Sequence, residues 1–401
     1  MKNNKLTNFL LTLSFIVLIF GSGYKIGEFK SRFSLPLNSK TYALNSNINF
    51  DLFWETWNKL QERYVDQKKI DPKKMYLGAI KGMVASVEDP YTFFLTPEEN
   101  KQTKDDLGGK FEGIGAQLGL KDNRIIIIAP LKKSPAETAG VKPGDYINKV
   151  DDVAINNWTL SQAVSKIRGP KNTKVKLTLE RNNKEIEVTI VRQQIIVASV
   201  ELSYEKRIAV LKVNQFGDNT NDEWNKAVKE ISGKWLNKQI DGMVLDLRDN
   251  PGGYLESSVY LASEFLPLGK LIVKQDATLY DDKEYLVSRI GVLKEIPLVV
   301  LINKGSASAS EILAGALRDH SRAQLVGEKS FGKGSVQEAL DLSEGAGLHV
   351  TVAKWILPNG DWINSKGIEP KIKVINEIKD GNTITKETDK QLEKAIELLV
   401  K

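Results

Sequence analysis

The apolar positions of this chain change their period repeatedly, and each change marks a boundary. Lys2 and Lys5 precede an uncharged stretch, residues 6–24, with an apolar centre at 9–20. Its length approaches the ~20 residues of a membrane-spanning helix, so residues 1–30 read as a membrane anchor or signal segment. Gly21-Ser22-Gly23 offers small residues for cleavage, but an A-x-A-like site is missing, which favours the uncleaved anchor. Lys25, Lys30 and Arg32 blur the charge asymmetry that would orient it. Either reading exports the rest of the chain. Residues 31–48 mix Ser, Asn, Pro and Leu as a linker does.

From 49 to 107 the spacing predicts a small helical region. Phe53, Trp54, Trp57 and Leu60 recur at helical intervals, and a second helix over 75–87 stops before Asp89-Pro90. Residues 108–195 switch to short β runs: 125–128 is β-rich, Lys142-Pro143-Gly144-Asp145 is a turn, and 175–179 and 186–190 flank the Asn182-Asn183 turn. A short amphipathic helix falls at 159–167. From 196 to 375, strands at 208–213, 242–247, 297–302 and 323–326 alternate with helices at 222–236, 255–265 and 310–317, the rhythm of an α/β domain. The last stretch, 376–401, ends in a helix with Leu392, Ala395, Ile396 and Leu399 on one face.

Composition narrows the function. The chain has 401 residues, 41% hydrophobic and 27% charged, as a globular protein of two or three domains does. Its net charge of +6 is scattered, so nucleic acid is not an expected partner. With no cysteine there is no disulfide, no thiolate metal site and no Cys nucleophile. Only His320 and His349 are present, too few for a His-rich metal site. No metal or cofactor is expected.

The densest chemical signal is residues 297–337. An apolar strand runs into Gly305-Ser306-Ala307-Ser308-Ala309-Ser310 and then into a helix with Ala309, Ile312, Leu313, Ala316 and Leu317 on its apolar face. Ser308 thus sits where a strand becomes a helix, and converging N–H groups and the dipole favour developing negative charge. Ser308 and Glu311 also fit a capping box, with Ser306 and Ser310 as rival caps. A nucleophilic serine needs a base. Lys333, between Gly332 and Gly334, is a candidate. A lysine of ordinary pKa is neutral about once in ~2500 at pH 7, and burial that brings the pKa to about 7 costs roughly 4–5 kcal/mol. Gln337, four residues on, reaches the same side and can hold the amine. The turn Asn250-Pro251-Gly252-Gly253 ends a buried strand and can aim an N–H, with that of Ala309, at an oxyanion. Two other chemistries share these residues. Gly327 to Lys333 follows the start of a P-loop, although Gly334 replaces the Ser/Thr that would hold Mg²⁺. A His triad would need His320, too far along the Ser308 helix, while His349 falls in an expected strand, 347–353.

At these residues the chain resembles the C-terminal processing peptidases, or tail-specific proteases. The matching pieces are the 303–312 and 327–337 stretches, Leu247 to Gly253, Asp89-Pro90-Tyr91-Thr92-Phe93-Phe94-Leu95, and Gly367-Ile368-Glu369-Pro370. They lie in the family's order over roughly residues 50–400, with Ser330 where Thr is more usual. The resemblance implies a multidomain α+β chain: a helical N-terminal region, a PDZ domain and a ClpP/crotonase-like α/β protease core. It implies Ser308 as nucleophile, Lys333 as base, Gln337 as its partner, and an oxyanion hole from Gly252 or Gly253 with Ala309. In the PDZ domain, Gly113, Ile114 and Gly115 would capture a substrate's C-terminal carboxylate, with the 159–167 helix as the opposite wall. That module gates the protease in the family, and Arg168 is a candidate signalling contact. Expected partners are proteins with exposed apolar C-termini, the membrane through the N-terminal segment, and a second copy in a homodimer through the N-terminal and C-terminal helices. A tethered PDZ scaffold without turnover is the competing class.

Overall fold

The computed structural model describes residues 48–121, 124–131, 133–156, 158–278, 281–376 and 388–400. The expected anchor and most of the linker lie outside them. Among the described residues, no helix is long and apolar enough to cross a membrane. The chain divides into two compact units, Met1–Met75 and Tyr76–Lys401. In the first, helix Asp51–Arg63 stacks Phe53, Trp54 and Trp57 edge-on or tilted against one another, ring centroids 5.1–6.1 Å apart.

The second unit is a multidomain α+β assembly. Its core is a six-stranded sheet in the order Val200–Glu205, Ile208–Val213, Gly242–Asp246, Leu298–Ile302, Gln324–Gly327, Ile372–Lys373. The first pair is antiparallel and the rest parallel. Alternation along these strands feeds two apolar layers. Ala209, Leu211, Met243, Leu245, Leu298 and Val300 face helices Thr220–Leu236, Leu255–Ala262 and Ala309–Asp319. Ile208, Val210, Val244, Val299 and Leu301 face the other way, under helix Lys390–Leu399. That helix lays Leu392, Ala395, Ile396 and Leu399 on the sheet, the face its spacing predicts. Sheets buried on both sides need such near-continuous apolar strands.

A second, five-stranded sheet is antiparallel: Phe93–Leu95, Gly347–Ile356, Leu271–Ala277 and Lys283–Leu286 in order, with Ser335–Asp341 also paired to Gly347–Ile356. Phe93–Leu95 falls inside the stretch expected to be helical. It becomes a strand because the preceding helix ends at Ala85, the chain turns at Glu88 with φ +57°, and the short apolar run finds an open sheet edge. Helix Pro97–Leu107 follows, capped by Thr96 and Glu99.

The β-rich module is a six-stranded sheet of Ala116–Lys121, Arg124–Pro130, Tyr146–Val150, Lys174–Arg181 and Lys184–Val191, with Val153–Ala154 at its side. Helix Leu160–Ile167, with a Thr159/Gln162 capping box, buries Ala163 and Ile167 in the module's core. The Arg192 guanidinium donates to the carbonyls of Lys166 and Ile167 at 3.0 and 2.8 Å and so closes the helix's C-terminus. A two-stranded ribbon, Lys110–Gly113 with Gln193–Ile196, joins the module's two chain ends.

Candidate active site

Ser308 occupies the junction of strand Leu298–Ile302 and helix Ala309–Asp319 with φ +53° and ψ −115°. A non-glycine residue there costs of order 1–3 kcal/mol and needs surroundings that enforce it. The serines on either side provide them. Ser306 Oγ donates to the Leu247 carbonyl at 2.8 Å and Ser310 Oγ to the Asn250 carbonyl at 2.9 Å, both fully buried. The Ala307 N–H reaches Asn250 O as well, at 3.0 Å. Alternate serines therefore staple the tract to the 247–253 turn, leaving Ser308 half-buried between them.

Asn250 organises that turn. Its Nδ2 donates to Val213 O at 2.8 Å and its Oδ1 accepts the Gly252 N–H at 2.9 Å. Gly252 has φ +106°, and a Cβ on it would lie 2.8 Å from Ser308 Cβ and 3.1 Å from the Ala309 nitrogen. Only a glycine allows the turn this close. The Gly252 N–H is committed to Asn250, whereas among the described hydrogen bonds none is donated by the N–H of Gly253.

Arg248 anchors the turn from beneath. Its guanidinium pairs with Asp246 at 2.7 Å and with Asp389 at 2.8 Å, and also donates to Gln391 at 3.1 Å. Asp389 in turn caps the C-terminal helix through Leu392 N–H at 3.0 Å. Burial alone would raise the Asp389 carboxyl, but Arg248 outweighs it and holds it below the usual range.

Lys333 lies on the loop between strands Gln324–Gly327 and Ser335–Asp341. Its ammonium donates to Gln337 Oε1, and Gln337 Nε2 donates to the Tyr91 carbonyl. The ammonium also sits 5.2 Å from the centroid of the Tyr91 ring. Burial pushes the Lys333 amine below the ordinary lysine range, against Asp89 and Glu311, whose charges hold it up. Among the described hydrogen bonds none joins Lys333 to Ser308 in this conformation.

The two halves meet at Glu311. This fully buried carboxylate accepts the N–H of Ser308 and of Lys333 through Oε2, each at 2.9 Å. Through Oε1 it accepts the Gly332 N–H at 2.7 Å and the Ser330 hydroxyl at 2.5 Å. Read as a capping residue, Glu311 does meet the Ser308 N–H, while its own N–H goes to the Ser308 carbonyl at 2.8 Å.

The rival chemistries do not fit. A P-loop needs a helix after its lysine; here strand Ser335–Asp341 follows, and the Gly332 and Lys333 amides are taken by Glu311. His320 ends the Ser308 helix and bonds the Leu271 carbonyl at 2.7 Å. His349 lies in a strand, as expected, and stacks on Phe93 at 4.7 Å.

In the β-rich module Gly113, Ile114 and Gly115 form a cluster of their own. The carbonyls of Ile114 and Gly115 accept from Ala136 and Leu131 at 2.8 and 2.9 Å, while among the described hydrogen bonds none is donated by their N–H groups. Gly115, φ +71°, is packed so that a Cβ would meet Ser134 Cβ at 2.6 Å. Arg168, at the end of helix Leu160–Ile167, donates to both oxygens of Asp106 at 2.9 Å and lies 4.7 Å from the Phe111 ring centroid. It thereby joins this helix to Pro97–Leu107.

Comparison with known proteins identifies the frame. The sequence model of Peptidase family S41 matches residues 207–374, that of the PDZ domain 99–180, and that of the Activating protease CtpB N-terminal domain 30–99. The Carboxy-terminal processing protease CtpB of Bacillus subtilis (strain 168) is 38% identical over 330 residues, 81% of this chain and 67% of the relative. The chain belongs to the C-terminal processing peptidases of family S41. The solved photosystem II D1 C-terminal processing protease matches this peptidase at TM-score 0.54 and 28% identity, over 87% of this chain and 97% of that one. An S41 protease from Bacteroides fragilis NCTC 9343 shares the fold at TM-score 0.57 and 16% identity, over 85% of this chain and 96% of that one. The peptidase is thus a serine-type C-terminal processing enzyme with a PDZ domain, acting on protein or peptide substrates.

Asn250, Arg248, Asp389 and the catalytic-side role of Glu311 escape the sequence reading. Glu311 carries a visible signal, an acidic residue within a helix otherwise apolar on its inner face; the others act through long-range contacts with no local pattern.

Proposed function

We propose that this peptidase cleaves proteins near their C-termini with a Ser308–Lys333 dyad. The observation that carries the reading is the lysine's setting: an amine sunk in the protein, below its ordinary pKa range, and tied through its loop and Glu311 to the backbone of Ser308. A neutral Lys333 amine takes the Ser308 hydroxyl proton as Oγ attacks the scissile carbonyl carbon. The tetrahedral oxyanion is held by the N–H groups of Ala309 and of the 252–253 turn. Within that turn, the N–H of Gly253, which donates none of the described hydrogen bonds, is the better candidate donor, and Gly252 supplies the close approach. The Lys333 ammonium then protonates the leaving amine, giving an acyl-enzyme. Water, deprotonated by the same amine, releases the acid and restores Ser308. Gln337 holds the amine between these steps. None of these steps requires a metal or cofactor.

The bond from Lys333 to Gln337 is read as a resting geometry, from which the amine must turn to reach Ser308. The PDZ domain, taken as residues 108–195 between the helical region 49–107 and the core 196–375, presents the N–H groups of Gly113, Ile114 and Gly115 to an apolar substrate's terminal carboxylate. Arg168, held by Asp106, is the contact through which a bound tail signals to the core. Residues 1–30 tether the enzyme to a membrane with the catalytic domain extracytoplasmic, or leave it secreted if cleaved. The N-terminal and C-terminal helices provide a homodimer contact.

The test is digestion of casein and of a tail peptide by wild type, Ser308→Ala and Lys333→Ala. Loss of turnover in both variants with intact folding supports the dyad; equal activity in all three refutes it and leaves the scaffold reading.

A further inference from the structure

The Asp89-Pro90-Tyr91-Thr92 turn has no role in the chemistry above, yet it forms one wall of the lysine's pocket. We propose that this turn positions the catalytic base: the Tyr91 carbonyl fixes the sense of the Gln337 amide, while the Tyr91 ring face, 5.2 Å from the amine, and the Asp89 carboxylate bonded to the Tyr91 N–H set negative charge against it. The inference rests on Lys333 being that base.

A carbonyl oxygen can only accept, so the atom of Gln337 that meets Tyr91 O must be its NH₂. The amide oxygen is then forced toward Lys333, where it takes a hydrogen from the amine. In that sense the amide holds either protonation state, because both carry N–H. The opposite sense would set an NH₂ against the ammonium and a carbonyl against a carbonyl. Tyr91 therefore decides whether Gln337 is a partner or an obstacle.

The turn has the rigidity this requires. Asp89 accepts from the Tyr91 N–H at 3.1 Å and from the Thr92 hydroxyl at 2.7 Å, and its carbonyl accepts the Thr92 N–H at 3.1 Å. Thr92 Oγ1 accepts the Thr351 N–H at 3.1 Å, and Phe93–Leu95 pairs with residues 347–349 of the same strand. Gln337 is opposite Thr351 on that strand's other side, at a bulge after Val336. One strand thus sets the register of both the carbonyl and the amide it orients.

Four groups face the amine electrostatically. Asp89 and the Tyr91 ring come from the turn, Glu311 from the Ser308 helix, and His349 from strand Gly347–Ile356. Asp89 and Glu311 favour the ammonium, as does the ring face. Burial first, and then the Lys333 charge, push His349 below its usual range, so it adds no opposing cation at neutral pH. Burial alone would raise the Asp89 carboxyl, but the donors around it hold it low and ionised. Asp89 is the half-buried counterweight to burial, held by its own turn; Glu311 is fully buried and committed to main-chain donors.

The acid limb of kcat/KM against pH reports the free enzyme's base. Removing a negative charge that favours the ammonium lowers the base's pKa. Asp89→Asn should therefore move this limb to lower pH by about one unit, the scale of a close charge partner, and Asp89→Glu should return it. The measurement uses the full-length enzyme and a fluorogenic tail peptide, alongside Ser308→Ala and Lys333→Ala. If those two variants retain activity, the dyad itself falls. If they are dead while folded Asp89→Asn keeps the wild-type limb, only the present inference is overturned. Should Asp89→Asn not fold, Tyr91→Leu carries the test: it keeps the carbonyl, loses the ring, and must also lower the limb, and an unmoved limb overturns the proposal.

Discussion

A single carboxylate oxygen, Glu311 Oε2, accepts the main-chain N–H of Ser308 and that of Lys333, each at 2.9 Å. The two residues expected to form the dyad come from distant parts of the chain, and this oxygen is what holds their backbones together. Charge-assisted bonds of this kind are about twice as strong as neutral ones.

Glu311→Ala should consequently be costly on both counts. It orphans buried donors from Ser308, Ser330, Gly332 and Lys333. The expected loss is about 3 kcal/mol or more of stability, with kcat falling at least about 100-fold. Denaturant midpoints and peptide hydrolysis measure the two effects. A variant that keeps wild-type kcat would remove Glu311 from the site.

Gly252→Ala places a methyl 2.8 Å from Ser308 Cβ and 2.9 Å from the Ala307 carbonyl at a φ of +106°. Strain of about 1–3 kcal/mol follows, and the turn must retreat from Ser308. Turnover should fall by about 100-fold while KM for the tail peptide changes little, because the PDZ site is untouched.

The Arg248–Asp389 pair links the turn below Ser308 to the C-terminal helix. Since the folded state depresses the Asp389 pKa, its stabilisation is complete above the unfolded value and is lost as pH falls through the lower, folded value. Helix Lys390–Leu399 should loosen below about pH 4, seen as faster amide exchange in that segment. Asp389→Asn should make exchange there fast at neutral pH and flatten its dependence on acid.

Gly115→Val drives a side chain into Ser134, whose Cβ is 2.6 Å from the position of a Cβ on residue 115. The loop proposed to take the tail's carboxylate should open without disturbing the core. KM for a protein bearing a free C-terminal tail should rise about tenfold, or ~1.4 kcal/mol, with hydrolysis of a short C-terminally amidated peptide unchanged. Equal effects on both substrates would argue against tail capture at this loop.

Much of this was legible because the informative residues are local. The α/β rhythm after residue 196 survives in the six-stranded sheet, and the apolar stripe Leu392, Ala395, Ile396 and Leu399 faces the layer it should. Ser308 and Lys333 stand out through small neighbours and glycines, which mark close approach. What escaped depends on partners far away in sequence. Phe93–Leu95 is a strand only because residues 347–349 offer an edge, and no periodicity in three residues could announce it. Strands Leu271–Ala277, Lys283–Leu286 and Ser335–Asp341 are mostly exposed or half-exposed, so their apolar alternation is weak. Arg248 and Asp389 reveal themselves only once the C-terminal helix is laid against the sheet.

The strand Phe93–Leu95 also governs how this enzyme can be cut. Any fragment that starts beyond Leu95 strips one neighbour from residues 347–349 and bares the main-chain groups on that side, while residues 339–341 still pair the other. A naked sheet border of that kind recruits other chains. A catalytic piece begun at residue 196 would therefore tend to clump, and a monodisperse one has to start upstream of Asp89.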